Sequence, residues 1–381
     1  MGLQVGLLEL PAELQLLIAV HLIGDSKGTH GVHQLLQFAL TCRQLASIAR
    51  EALCLDPVLQ SRKVNQLLHF LFRYPALAKK IKALTIETKE TRKDKAYPER
   101  IVHLEPAVLH HCKQHVRTLP VRKFVQDNMI SLLKADCFED HGILLCLLLT
   151  MLPQLERLYL GGSVLLNFPL FRNMMPNEPR NEDGYTKPDW ADGPDLTWVV
   201  DIFGTKLTAL EMPVDLRRNP EDNVWQPLSI LQLPKYFPNL RWLSIPHMAA
   251  TMITETSCAD IISAELEELV LTDARCNCFE KFSKGLVAEE AKTAMFPQLK
   301  KIALYHRYPE AATEPATVQA LTDVGLEVFE YMPDCCLRSG DEFYHPWKYT
   351  PAEINALEVN RHAEYATEWE RAALQWGSDE E

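Results

Sequence analysis

The sequence predicts a mixed α/β chain, α+β overall: a three-helix module at the N-terminus, an irregular repeat domain built on a parallel sheet, and a C-terminal capping helix. Three observations carry that expectation. Apolar residues recur at helical spacing between Leu7 and Leu53. A Pro-x-Leu-x-x-Leu-x-Leu pattern returns between Leu152 and Leu304. Thr350-Pro351-Ala352-Glu353 joins an N-cap residue, a proline at the first helical position and the acidic member of a capping box.

At the N-terminus, Pro11 lacks a backbone donor and has a fixed φ, which suits the first turn of a helix. Leu14, Leu17, Ile18 and Leu22 follow as one apolar stripe. Gly24, Asp25, Ser26, Gly28 and Gly31 interrupt the pattern, after which Leu35, Leu36, Ala39 and Leu40 predict a second short helix. Thr41 and Gln44 have capping-box spacing, so the chain is expected to stop and restart there, with Leu45, Ile48, Ala49 and Leu53 along a third helix. A module of about fifty residues buries too small a fraction of its surface to stand comfortably alone. Leu10, Ile18, Leu22, Leu36, Phe38 and Leu45 exceed what one small core needs, and a surplus apolar face marks a partner site or a domain contact.

These residues resemble an F-box. Leu10, Pro11 and Glu13 match its Leu-Pro-x-Glu start, and Ile18 and Leu22 match its apolar first helix. Leu35, Leu36 and Phe38 match its leucine-rich second helix; Cys42 and Leu45 match the Cys-x-x-aromatic or Leu of its third. The loop from Ile23 to Gln34 is longer than is usual in the family, and Leu45 stands where many members carry Trp. The resemblance implies docking onto a Skp-type adaptor, and through it a cullin, by Leu10, Pro11, Ile18, Leu22, Leu36, Phe38, Cys42 and Leu45. Pro11 would set the helix start, and the apolar residues would fill the interface or the small core beneath it. A second reading, in which these helices only cap the following domain, stays open.

The repeats come next. Leu152-Pro153-Gln154-Leu155 leads to Leu158 and Leu160, Phe237-Pro238-Asn239-Leu240 to Leu243 and Ile245, and Phe296-Pro297-Gln298-Leu299 to Ile302 and Leu304. Looser copies are Leu207, Leu210 and Met212; Leu266, Leu269 and Leu271; Ile81, Leu84 and Ile86; and Leu326, Phe329 and Tyr331. The later copies start about 26 to 33 residues apart, a spacing that resembles the leucine-rich-repeat family. Each Leu-x-Leu tail is expected to be a short strand with one face buried, the connecting stretches returning as helices such as Ser257 to Ala264 and Ala288 to Met295. Neighbouring units would stack into an irregular solenoid. Regular members place Asn or Cys three residues after the last strand leucine, where this chain has Ser163, Met248, Ala274 and Arg307. Side chains pointing out of the concave sheet are the expected contacts to a protein substrate of unknown identity: Arg157, Tyr159, Glu211, Trp242, Ser244, Glu268, Lys301 and Tyr305.

The expected organisation is therefore an F-box over residues 1–57 and a helical connecting region with a possible divergent repeat over 58–150. A leucine-rich-repeat-like domain follows over 151–345, with a Pro- and Asn-rich loop insertion at 173–194, and the C-terminal capping helix falls within 346–381. The 381 residues carry a net charge of -12, which argues against a broad nucleic-acid footprint. The apolar run Ile143 to Leu152 spans about half of what a bilayer needs and reads as a buried helix, so no membrane partner is expected. The N-terminus lacks a basic n-region, and the ten cysteines form no framework, so the expectation is a cytoplasmic or nuclear chain with reduced thiols. No Gly-x-Ser-x-Gly elbow, Walker loop or His-Glu-x-x-His is present, and neither catalytic residues nor a cofactor are expected. The best cluster of metal-ligand residue types, His110, His111, Cys112 and His115, lacks paired Cys-x-x-Cys spacing, as do Cys276 with Cys278 and Cys335 with Cys336.

The combined expectation is a non-enzymatic substrate receptor of a Skp, cullin and F-box ubiquitin ligase. The alternative is a repeat scaffold with no ubiquitin role.

Overall fold

The computed structural model describes residues 6–24, 29–60, 63–87, 104–133, 141–160, 198–212, 233–246, 258, 261–274, 276–287, 296–306 and 313–331. The expected loop insertion at 173–194, the helix at Ala288–Met295 and the C-terminal helix lie outside these residues. Helix and strand are mixed, as expected. The strands are β1 (Val58–Gln60), β2 (Ala83–Glu87), β3 (Arg157–Leu160), β4 (Ala209–Glu211), β5 (Trp242–Pro246), β6 (Glu268–Ala274), β7 (Lys301–His306) and β8 (Glu327–Tyr331). They belong to open parallel sheet, β1 pairing with β2 and β4 through β8 pairing in chain order. The chain divides into two compact units, the first carrying β1 to β3 through Tyr159 and the second carrying β4 to β8.

In the first unit, helices α1 (Ala12–Gly24), α2 (Thr29–Thr41) and α3 (Arg43–Leu53) pack on one another. Their small core is Ala19, Leu35, Phe38, Leu45, Ala49 and Ala52. Helix α2 starts earlier than the glycine-rich sequence suggests, running through Gly31. The capping box expected from Thr41 and Gln44 does not form. The Thr41 hydroxyl donates to the Gln37 carbonyl one turn back in its own helix at 3.2 Å, and Cys42 takes the N-cap position of α3 with no side-chain bond. Gln44 is drawn elsewhere, to Gln15 on α1.

The rest of this unit supports β1 to β3. Helix α4 (Val64–Arg73) packs against α6 (Pro106–Thr118) and α8 (His141–Thr150). Between them in the chain come α5 (Pro75–Ala78) and α7 (Lys123–Leu132), and α9 (Trp198–Phe203) also packs on α8. Every residue from Ile143 to Leu149 is buried, so the apolar run is a core helix surrounded by protein on all sides. Among the described residues, no helix is long and apolar enough to cross a membrane.

The recurring sequence pattern corresponds to a recurring local structure. In Leu152-Pro-Gln-Leu155, Phe237-Pro-Asn-Leu240 and Phe296-Pro-Gln-Leu299, the fourth amide donates to the first carbonyl, at 3.3, 3.4 and 3.2 Å. Proline stands at the second turn position, where its fixed φ is already correct, and points to solvent while the flanking apolar residues are buried. Ser263 to Leu266 and Gly204 to Leu207 make the same turn without proline. The residue just before the strand then offers its carbonyl to two amides of the next copy. Lys82 receives Glu156 and Arg157 at 2.8 and 3.0 Å, Thr208 receives Arg241 and Trp242 at 2.8 and 3.0 Å, and Arg241 receives Glu267 and Glu268 at 2.8 and 3.0 Å. Glu267 receives Lys300 and Lys301 at 3.0 and 3.2 Å. Side chains at this same position pair across copies: Lys82 with Glu156 at 3.0 Å, and Glu267 with Arg241 at 3.7 Å and Lys300 at 3.5 Å.

In the second unit, Leu243, Leu269 and Ile302 are aligned across β5 to β7, as are Ile245, Leu271 and Leu304, and all six are buried. The last copy departs from its expected phase. Val328 pairs with Ile302 and Glu330 with Leu304, so Phe329 and Tyr331 belong to the opposite face. The cause is the end of α12 (Pro315–Asp323), a Schellman motif: Gly325, at φ 80, donates to Thr322 O at 2.8 Å and Leu326 to Leu321 O at 3.1 Å. The strand therefore begins one residue sooner, and a one-residue slip exchanges its faces.

One helical reading also changes. Of the expected helix Ser257 to Ala264, residues 257, 259 and 260 lie outside the described residues, and Ile261 to Ala264 form no helix, because Ser263 opens the turn before β6 and donates its hydroxyl to Leu240 O at 3.0 Å. Helix α10 (Leu233–Tyr236) precedes β5, and α11 (Cys276–Val287) follows β6 despite weak helix formers. Phe279, Phe282 and Leu286 provide its buried stripe. Gly285 admits a close approach there, since a Cβ at that position would lie 2.9 Å from Cys258 Sγ.

Candidate functional site

Helix α1 is apolar nearly all round, and its helical partners cover only part of it. Leu14, Leu17 and Val20 remain exposed on α1, as do Leu36 and Leu40 on α2 and Leu7 and Leu8 on the 3-10 turn before α1. Leu17 keeps 63% of its surface in water and Leu40 72%. A bundle this small with so many uncovered leucines presents an apolar contact surface.

The eight expected adaptor residues divide by burial. Phe38 and Leu45 belong to the core, Leu45 at 1% exposure. Ile18, Leu22 and Cys42 are partly buried against that core, and Leu10 is half-buried. Pro11 and Leu36 are exposed. Leu45 therefore completes the internal packing of the module.

Sequence reading passed over a polar centre beneath this surface. Gln15 is fully buried. Its amide nitrogen donates to Leu7 O at 3.1 Å and Leu10 O at 3.0 Å, and its amide oxygen accepts from Gln44 Nε2 at 3.1 Å. A Gln within an apolar helix and another near the start of α3 carry no pairing signal in one dimension.

On the second unit, strand register groups the expected substrate-contacting residues. Trp242, Glu268 and Lys301 lie in one row with Glu327; Glu211 and Ser244 lie in the next with Val270, Ala303 and Phe329. Tyr305 lies in a third with Thr272 and Tyr331. The middle row requires a correction, because Glu211 and Ser244 are each only 1% exposed and Val270 and Ala303 are buried beside them. From β4 to β7 this level of the sheet is covered on both faces, as is common for parallel strands, whereas Phe329 at its β8 end is exposed. Trp242, Glu268, Lys301 and Tyr305 are half-buried. Within the first unit, Arg157 is exposed on β3 and Tyr159 is half-buried.

The half-buried residues form a charged and aromatic shelf over β6 to β8. Lys301 Nζ is 2.8 Å from Glu268 Oε1 and 5.1 Å from the centroid of the Phe329 ring. Tyr305 and Tyr331 stack with centroids 4.3 Å apart and planes 8° from parallel. Burial pushes the Tyr305 hydroxyl well above its ordinary pKa, with the neighbouring Tyr331, a hydrogen bond to it and Glu268 adding to the effect. On the opposite, core-facing side, His306 Nε2 lies 3.0 Å from Glu330 Oε1, which also accepts from the Thr313 amide at 3.1 Å. That pairing depends on the shifted register of β8 and could not be anticipated from sequence.

The histidine-rich helix does not assemble a metal site. His110 Nε2 lies 2.8 Å from Gln114 Nε2, and His111 stacks on Phe72. Cys112 is buried, its thiol pushed up to about 12 by desolvation, and His115 lies 2.8 Å from the Thr150 hydroxyl. Among the described residues, no group of three His, Cys, Asp or Glu side chains could hold an ion. Cys54 and Cys258 are likewise buried thiols, each raised to about 11 by burial first.

No protein-family model, curated protein or solved structure matches this chain.

Proposed function

We propose that this chain is the substrate-receptor subunit of a Skp, cullin and F-box type ubiquitin ligase. It docks to the Skp-type adaptor through α1 to α3 and holds a protein target on a leucine-rich-repeat-like domain. The carrying observation is the uncovered leucine surface, Leu7, Leu8, Leu14, Leu17, Leu36 and Leu40, on a module whose internal core is already complete. A second support is the Leu10-Pro11-x-Glu13 start and the Cys42-x-x-Leu45 spacing. The repeated turn-and-strand unit supports a stacked recognition domain, with Trp242, Glu268, Lys301 and Tyr305 as the available contacts. The protein supplies no chemistry itself. Tethering raises the effective concentration of target lysines near the charged conjugating enzyme, in the cytoplasm or nucleus.

The test is co-elution of the purified full chain with a Skp-type adaptor on size-exclusion chromatography. A stoichiometric complex is expected, and Leu10→Ala with Pro11→Ala should weaken it. Separate elution of the two proteins would instead favour the scaffold reading, in which the helices cap the repeat domain; the burial of Phe38 and Leu45 inside the bundle is the observation on that side. Capture of target proteins with the proteasome blocked would then identify the substrate.

A further inference from the structure

We infer that Gln15 is a positioning residue, holding the Leu7–Pro11 segment in the conformation that the adaptor reads; this rests on the receptor function proposed above. A Gln side chain offers two N–H donors and one carbonyl oxygen. All three find partners in a fully buried position: the donors reach Leu7 O and Leu10 O, and the oxygen accepts from Gln44 Nε2. Its neighbours Leu14, Leu16 and Leu17 are apolar, so a leucine at this position would fit the composition of the helix. The amide that stands there costs desolvation, which its three hydrogen bonds offset.

The segment it grips is held unevenly by its own backbone. Glu9 N donates to Gly6 O at 2.9 Å at the start of the 3-10 turn, but the bond at its end, from Leu10 N to Leu7 O, is long at 3.4 Å, and Pro11 has no amide to donate. At the turn's outer end, Glu9 Oε2 accepts from Gly6 N at 3.0 Å. Leu7 and Leu8 project from this turn into water, and Pro11 follows, also exposed. Through Gln44 the same amide links the turn and α1 to α3. One buried side chain thereby fixes the relative placement of exposed apolar groups carried on separate elements. Order already present before binding does not have to be gained on binding, so the clamp acts on affinity.

The experiment uses the full chain and a purified Skp-type adaptor, with binding measured by calorimetry and amide exchange followed at Glu9 and Leu10. Gln15→Leu keeps the volume and removes all three bonds; binding is expected to weaken roughly tenfold, with faster exchange at those amides. Gln44→Ala keeps both carbonyl bonds and should cost roughly two- to threefold. Leu7→Ala should weaken binding in the wild-type background and add little to Gln15→Leu, a coupling that general loss of stability would not produce. If Gln15→Leu does not fold, Gln15→Met carries the same comparison. Wild-type affinity in the folded variant overturns the inference and leaves the receptor function standing, whether or not exchange has changed. Failure of the wild-type chain to bind the adaptor overturns the receptor reading and this inference with it.

Discussion

Leu17 and Leu243 are the same residue in opposite circumstances. The first sits on α1 at 63% exposure, and the second, on β5, is 1% exposed. Around Leu243 the neighbours are other leucines held by strand register, and its contribution is to folding. Around Leu17 the bundle has already closed over a core of Ala19, Leu35, Phe38, Leu45, Ala49 and Ala52, and its apolar surface is left in water. Burial rather than residue type separates a structural leucine from one left open to a contact.

The largest effect is expected at the buried end. Leu243→Ala should destabilise the protein by about 2–5 kcal/mol, measured by denaturant unfolding, because it opens a cavity between Leu210 and Leu269 on the neighbouring strands. Leu17→Ala should shift stability by no more than about 0.5 kcal/mol. The reverse order of effects would show that the three helices depend on the exposed leucines for their own packing.

At the exposed end, Leu17→Glu with Leu40→Glu should leave the melting temperature close to wild type. Adaptor affinity should fall by about 2 kcal/mol or more, the scale of an interface hot spot, read by calorimetry. Equal affinity would remove α1 and α2 from the docking surface.

A smaller effect comes from His115, whose pKa burial lowers from the ordinary value of about 6.5. The folded state therefore keeps the ring neutral at a pH where the unfolded chain has begun to protonate it. The unfolded state binds more protons, and stability declines as pH falls below about 6.5. His115→Gln should flatten that decline in unfolding free energy while preserving a hydrogen bond to Thr150. An unchanged slope would assign the acid sensitivity to other groups.

The smallest effect belongs to the charged ladder between copies. Glu267→Gln removes exposed pairs with Arg241 and Lys300 and should cost less than about 1 kcal/mol, fading further in high salt. A larger cost would mean that the ladder, rather than the buried leucines, sets the stacking of neighbouring copies.

Much of the fold could be read directly from residue order. Pro153, Pro238 and Pro297 announced turns because proline presets φ in a way that depends on no distant contact, and the leucines around them followed in fixed positions. Helices α1 to α3 were legible from apolar spacing. Their capping was not, because Thr41 had a competing acceptor in its own helix and Gln44 a partner on α1. The same limitation affected the sheet. Alternation correctly grouped Trp242, Glu268 and Lys301, yet it could not reveal that Glu211 and Ser244 on the same face are covered.

By itself, then, the sequence determined the local geometry of this protein: the proline turns, the short strands, and the apolar stripes on its helices. These depend on backbone preferences and on periodicity within a few residues. Only the tertiary structure decided that Phe38 and Leu45 point inward while Leu17 and Leu40 stay in water, that Phe329 and Tyr331 change face, and that Gln15 finds all its partners. Burial, register and hydrogen-bond satisfaction are properties of pairs of residues distant in the chain, and a linear pattern holds only one member of each pair at a time.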